Sequence, residues 1–270
     1  MPMSEIFYLN NSFTTNYPLE EADVCFVGIP FDSTALAEGN QRFGPVTIRQ
    51  ALKTSQGNVP ETGVNPLKEL KIADLGDLEW VPGDFGETSD RIKETVEEIL
   101  EVNKDVFPVF LGGEHTVSLP LIESLDPKTV VQMDAHADLE GEYQGNRYAH
   151  DTWAYHLTQK TDVELVQIGV RSFSEANEER VNEIRNEVED LEGPVYISVD
   201  MDIFDPRYAP DVGYPEENGM EPEEVFEIID KIFQNDVSGM DVCEIASKEL
   251  NNRTSVLASK VILRSLSNLC

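Results

Sequence analysis

Positive charge is what this chain has least of. Twenty Lys+Arg stand against 52 Asp+Glu in 270 residues, a formal net charge of −32. No stretch concentrates the few cations, so neither nucleic acid nor an anionic membrane surface is an expected partner. Cysteine is also scarce: Cys25, Cys243 and Cys270 show no CxxC spacing. Three scattered thiols predict no disulfide framework and suit a reducing cytoplasm. Cys25 and Cys243 lie in apolar runs and read as core fillers. No apolar run reaches the roughly 18 residues of a membrane span. The opening MPMSEIFYLNNSF has no basic region ahead of an apolar stretch, so no secretory leader is expected. A linker rich in Pro, Gly or Ser and a fixed-period repeat are both missing, which predicts a single domain over residues 1–270.

Strong charge can mean disorder, but here it is laid over 40% hydrophobic residues, enough for a core. The acidity suits a cytoplasm of molar salt, where the Debye length shrinks to about 3 Å and self-repulsion is largely screened.

Short apolar runs alternate with longer amphipathic ones. Strands are predicted at Asp23–Pro30, Pro108–Leu111, Thr129–Asp134, Val163–Val170, Pro194–Asp200 and Val237–Ala246. They are nearly continuous in hydrophobicity, as strands covered on both faces are. Helices are predicted at Arg91–Val102, with Ser89 and Asp90 near the N-cap, and at Ser174–Leu191, Glu221–Phe233 and Thr254–Leu266. The alternation predicts an α/β fold with a mostly parallel sheet between helices. In such sheets ligands bind beyond the carboxyl ends of the strands.

Three apolar runs end there in polar clusters. Gly112-Gly113-Glu114-His115 follows one, and its glycines let the backbone turn sharply and present His115. Asp134-Ala135-His136-Ala137-Asp138 follows the second, where a period of two predicts two carboxylates and an imidazole on one side. Ser198-Val199-Asp200-Met201-Asp202 ends the third, with Asp200 and Asp202 on one side by the same rule. Four packed carboxylates do not all stay ionised without cations among them. Oxygen donors with a little imidazole and no thiolate suit a hard divalent ion such as Mn²⁺ better than structural zinc. Six ligands exceed what one ion needs, so two ions about 3.5–4 Å apart, sharing a carboxylate, are the economical arrangement for a hydrolytic site.

GGEH, DAHAD and SVDMD, with Asp205-Pro206 and Glu244 in MDVCEIA, resemble the ureohydrolase family of arginases and agmatinases. GIPFDST (Gly28–Thr34), RFGPVTIR (Arg42–Arg49) and TSVLASKVI extend the likeness over residues 23 to 266. The resemblance implies a three-layer α/β/α, arginase-like fold with two Mn²⁺ per chain. His115, Asp134, Asp138 and Asp200 would hold one ion; His136, Asp134, Asp200 and Asp202 would hold the other. It implies that a metal-bridging hydroxide, oriented by Asp138, attacks the guanidinium carbon of a small cationic guanidino substrate, releasing urea and an amine. His150 matches the acid/base histidine and Glu244 the residue that binds the guanidinium. A homo-oligomer, trimer or hexamer, is also implied.

The loop after DAHAD, Leu139 to His150, looks like the agmatinase version. Glu140 and Glu142 there would repel a substrate carboxylate and tolerate an ammonium tail. Agmatine to putrescine and urea is the expected reaction, with aminopropylagmatine, guanidinobutyrate and arginine as alternatives. A non-catalytic or deacetylase-like relative is the other class of alternative. Two departures bear on the pocket: Tyr214 stands where the family usually has Thr, and Asn218 where it has Gly. His156 and Asp241 read as structural.

Overall fold

The computed structural model describes residues 9–10, 17–34, 39–159 and 163–270. Most of MPMSEIFYLNNSF lies outside them. Among the described residues an eight-stranded sheet runs in the order β1-β3-β2-β4-β8-β7-β5-β6. The strands are β1 (Leu9–Asn10), β2 (Val24–Ile29), β3 (Ile72–Leu78), β4 (Phe107–Gly112), β5 (Thr129–Met133), β6 (Glu164–Ile168), β7 (Val195–Asp200) and β8 (Val237–Cys243). Only β1 is antiparallel, against β3; the other seven are parallel. No helix among the described residues is long and apolar enough to cross a membrane.

Side chains along a strand alternate between faces, and here each face has its own core. Phe26, Val109, Leu111, Val131, Ile197 and Val199 point to one, where α1 (Gly44–Thr54), α7 (Pro222–Ile232) and α8 (Arg253–Ser267) cover them. Cys25, Val27, Phe110, Val130 and Tyr196 point to the other, under α3 (Phe85–Val102), α4 (Ser118–Leu125) and α5 (Trp153–Thr158). Each fully buried large side chain contributes roughly 1.5–3 kcal/mol, so two apolar faces hold three layers together. The expected three-layer α/β architecture is borne out.

The six expected strands form, each within three residues of its expected ends. β3 escapes the hydrophobic pattern because Asp74 and Asp77 interrupt it. Asp74 is buried, and Arg49 of α1 reaches across to answer it: Nε lies 3.0 Å from Asp74 Oδ2, Nη1 contacts Asp77, and Nη2 donates to the Gly76 carbonyl at 2.6 Å. α3 begins earlier than expected. Asp84, rather than Ser89 or Asp90, caps it by accepting the Glu87 N–H at 3.0 Å.

The helix expected over Ser174–Leu191 is not formed as such. A short 3-10 turn (Glu175–Asn177) leads into α6 (Glu178–Glu183), and Ile184 is already extended. The reason lies in where the stripe points. Val181 and Ile184 pack with one core, whereas Val188 and Leu191 are buried in the other. No single helix face serves both sides of a sheet. The segment instead wraps the sheet edge: the Gln167 N–H of β6 donates to the Arg185 carbonyl at 2.9 Å, covering an otherwise open strand.

Candidate metal centre

The four central neighbours of the sheet, β4, β8, β7 and β5, all end at the same rim. His115 follows β4, Asp134 to Asp138 follow β5, Asp200 and Asp202 close β7, and Glu244 follows β8. The tight turn after β4 needs its glycines. A Cβ on Gly113 would collide with the Phe31 carbonyl, and one on Gly112 with the Cys243 sulfur.

His115 is buried, and its Nδ1 lies 3.0 Å from Asp134 Oδ2, 3.3 Å from Asp200 Oδ2 and 3.4 Å from Asp138 Oδ2. That nitrogen is aligned for a hydrogen bond with none of them. His136 Nδ1 lies 2.8 Å from Asp202 Oδ2 and 3.6 Å from Asp134 Oδ1. Two groups of potential ligand atoms result, each within 4.8 Å: His115, Asp134 and Asp200, and Asp134, His136 and Asp202. Asp134 belongs to both. The six residues named from the sequence therefore meet, but the period-two argument is not why. Both strands end too early for it. Asp138 turns in through a left-handed backbone (φ 53°), and Asp202 sits on a 3-10 turn whose N–H Asp200 Oδ1 accepts at 2.8 Å. Glu244 is left-handed too (φ 67°). Such residues cost about 1–2 kcal/mol each and cluster where a site over-determines them.

The electrostatics fit cations. Burial pushes Asp138 up to about 7, with the Asp134 charge adding to it. Burial, then Asp202 and Asp134, holds Asp200 well above the usual carboxylate range. Burial opposes a charge on His136, yet Asp134 and Asp202 lift it to about 12. Protons are thus held where the negative charge is densest. An unaligned buried imidazole nitrogen facing three carboxylate oxygens is the geometry a divalent ion satisfies, so these residues fit the two-metal set.

Other residues, near and far in sequence, hold this set in place. Gln132 Nε2 donates to Asp134 Oδ2 at 2.8 Å, and Trp153 Nε1 donates to Asp138 Oδ2 at 2.7 Å. Ser198 matters most for His115. Its hydroxyl donates to Asp241 Oδ1 at 2.9 Å, and Tyr196 OH donates to Asp241 Oδ2 at 2.9 Å. A hydroxyl has one hydrogen, so Ser198 Oγ is left to accept from His115 Nε2, 2.8 Å away. That bond keeps the Nε2 proton in place and aims the Nδ1 lone pair at the cluster. Asp241 is thus more than scaffold. A Ser198→Ala variant is expected to lose about 10–100-fold in divalent-ion affinity, read by calorimetric titration of the metal-free protein; wild-type affinity would refute this role.

A cavity of about 260 Å³ opens over the cluster. Glu244 lines it, held by the His115 N–H at 2.7 Å and Gln41 Nε2 at 3.1 Å. Burial, with the Glu114 charge next, pushes Glu244 up to about 8. Among the described residues no arginine pairs with Glu244. His150 lines the same cavity, its ring stacked on Tyr214 (5.4 Å, 13°) and edge-on to Tyr143 at 5.3 Å. Burial, with positive His136 next, lowers His150 to about 4, so it is neutral at neutral pH. Tyr214, the departure noted in the sequence, is therefore a wall of this cavity. Glu140 and Glu142 are not. Glu140 turns away to accept from Asn177 Nδ2 at 2.9 Å, and Glu142 is exposed. Asp151 and Glu216 supply the additional carboxylates lining the cavity. His156 Nε2 sits 2.8 Å from the Arg147 carbonyl, a structural position as expected.

Paired imidazole–carboxylate clusters at the carboxyl rim of a parallel sheet, under a polar cavity, define a metal-dependent hydrolase on an α/β/α scaffold. The chain belongs to the arginase family, which matches over residues 22–267. It is 33% identical to the N(1)-aminopropylagmatine ureohydrolase of Thermococcus kodakarensis over 97% of each chain. It is also 33% identical to the agmatinase of Pyrococcus horikoshii, over 95% of this chain and 96% of that one. The agmatine ureohydrolase of Thermoplasma volcanium superposes with a TM-score of 0.83 at 28% identity, covering 98% of this chain and 96% of that chain. The likeness read from GGEH, DAHAD and SVDMD is borne out, and so is the arginase-like fold.

Proposed function

We propose that this ureohydrolase uses two Mn²⁺ to hydrolyse agmatine to putrescine and urea. The observation that carries the reading is one cavity lined by the ligand cluster, Glu244 and His150 together. His115, Asp134, Asp138 and Asp200 would hold one ion, and His136, Asp134, Asp200 and Asp202 the other. Bound there, the ions supply Lewis acidity and lower the pKa of water toward neutrality. The chain's own groups do the rest. Glu244 accepts hydrogen bonds from the guanidinium and fixes its plane. Asp138 orients the attacking water by accepting its hydrogen. The water oxygen bonds to the guanidinium carbon, and the bond from that carbon to the tail nitrogen breaks. Both protons of the water end on the departing nitrogen, which leaves as an ammonium; His150, neutral, takes a proton from the water side and passes it on. Support for the substrate comes from the acidic, tyrosine-walled cavity and from relatives named for agmatine and its aminopropyl derivative; the latter is the second reading.

A homo-oligomer, trimer or hexamer, in a cytoplasm is part of this reading; sedimentation in high salt reads the assembly. The deciding assay is urea release with added Mn²⁺, at low and high KCl, from agmatine, aminopropylagmatine, arginine and 4-guanidinobutyrate. Agmatine should be preferred over the two acids by a large factor. Absence of urea from every guanidino compound at every salt would overturn the reading.

A further inference from the structure

The carboxylates lining the cavity are not equivalent. Asp138, Asp200 and Asp202 face the two histidines, and Glu244 is held by Gln41 and a backbone N–H. Glu216 accepts from Ser172 Oγ at 3.0 Å and lies 3.8 Å from His136 Nε2. Asp151 differs. It lines the cavity, yet its Oδ1 is buried and has no hydrogen-bond partner among the described residues. Leaving a buried carboxylate oxygen unmatched is costly, and such a group calls for an explanation. Burial, with the Glu140 charge adding to it, pushes its carboxyl up to about 6 against the weaker pull of His136.

The surroundings supply the other half of a cation site. In the same cavity His150 stacks on Tyr214 and meets Tyr143 edge-on. Tyrosine faces attract an alkylammonium through the ring quadrupole. Asp151 is the residue after His150, lines the same cavity and belongs to neither group of potential metal ligands. An aromatic wall and an unmatched carboxylate in one cavity suit a chain that carries a second positive charge. They reject one that ends in a carboxylate, which would meet Asp151 with like charge.

We propose that Asp151 is the specificity-determining anchor for a second positive charge on the substrate, so that the site takes guanidino compounds bearing a distal ammonium. This rests on the ureohydrolase reading above and deepens it, because it assigns substrate choice to one residue outside the metal cluster. It also replaces Glu140 and Glu142 in that role.

The test compares three guanidines of matched length that differ at the tail: agmatine (ammonium), 1-butylguanidine (methyl) and 4-guanidinobutyrate (carboxylate). kcat and KM are measured separately for wild type, Asp151→Asn and Asp151→Glu. In Asp151→Asn the ratio of kcat/KM for agmatine over butylguanidine should drop by about 10–100-fold, carried by KM. The ratio of guanidinobutyrate over butylguanidine should rise. Asp151→Glu, which restores the charge, should recover part of the agmatine preference. Equal losses on all three tails would mean that Asp151 acts through His150 or the fold and would overturn the proposal, as would unaltered ratios. Melting curves of the variants separate misfolding from recognition, and Asp151→Ser repeats the charge removal if the amide does not fold. Wild type that cleaves butylguanidine with ratios indifferent to Asp151 sinks the anchor and spares the ureohydrolase reading. Wild type that releases urea from none of the three, nor from aminopropylagmatine or arginine, sinks both.

Discussion

An Asp134→Asn variant is expected to release urea at least about 10³-fold more slowly than wild type and to retain less than one divalent ion per chain after dialysis. The substitution keeps the size of the side chain and removes one charge. That charge lies where both ligand groups overlap, with Oδ2 3.0 Å from His115 and Oδ1 3.6 Å from His136. Both oxygens are also engaged by donors: Oδ1 accepts the His136 N–H at 2.6 Å, and Oδ2 accepts from Gln132 at 2.8 Å. An amide has only one acceptor oxygen, so its NH₂ must face one of those donors. The mismatch and the lost charge fall on both ion positions at once. Asp202→Asn is the informative contrast, because Asp202 faces His136 and not His115. It should keep about one ion. Metal analysis by atomic emission and urea assays with excess Mn²⁺ check the pair. Two ions retained by Asp134→Asn, with activity within tenfold of wild type, would refute its role as the shared ligand.

The contrast between these ligands and their supports shows what the sequence reveals. The six ligands stand at strand ends marked by apolar runs, and strands covered on both faces announce themselves by hydrophobicity alone. Their convergence was legible even though its local geometry was not: a left-handed Asp138 and a 3-10 turn under Asp202 replace the alternation of an extended chain. What supports them was hidden. Trp153 and Asp241 act on other strands and loops, and no spacing in one segment encodes a contact with another. β3 was hidden because its polar residues make sense only once Arg49 is opposite. The 174–191 segment misled for a related reason. Its apolar residues have helical spacing, but periodicity does not say that a sheet edge divides them between two cores. Glu140 and Glu142 show the same limit for specificity, since acidic residues in the right loop need not face the cavity.

The largest effect on stability is expected from salt rather than from any side chain. Raising KCl from 0.1 to 2 M should raise the melting temperature by about 10 °C or more. The net charge of −32 is carried mainly by exposed carboxylates rather than by the cluster. Glu94, Glu97 and Glu101 line the outer face of α3; Glu183, Glu187, Glu189 and Asp190 crowd the wrapped edge; Glu223, Glu224 and Glu227 open α7. The cations available to answer them are few, and pairs such as Arg185 with Glu164 (3.2 Å) and Lys231 with Glu189 (3.7 Å) are themselves solvent-exposed. Repulsion summed over the surface therefore opposes the compact state, and it extends about 10 Å at 0.1 M salt but only about 3 Å at 1 M. At this chain length each 1 kcal/mol recovered is worth roughly 2–4 °C, so relief of a few kcal/mol gives the shift stated. KCl also strengthens apolar burial slightly, and a charge variant separates the two causes. Replacing Glu183, Glu187 and Glu189 together by Gln removes charge from the wrapped edge without touching either core. It should raise the melting temperature at 0.1 M KCl and flatten the salt dependence. A wild-type curve that is flat from 0.1 to 2 M would mean that the surface charge is already compensated within the folded chain, and that the acidity says nothing about habitat.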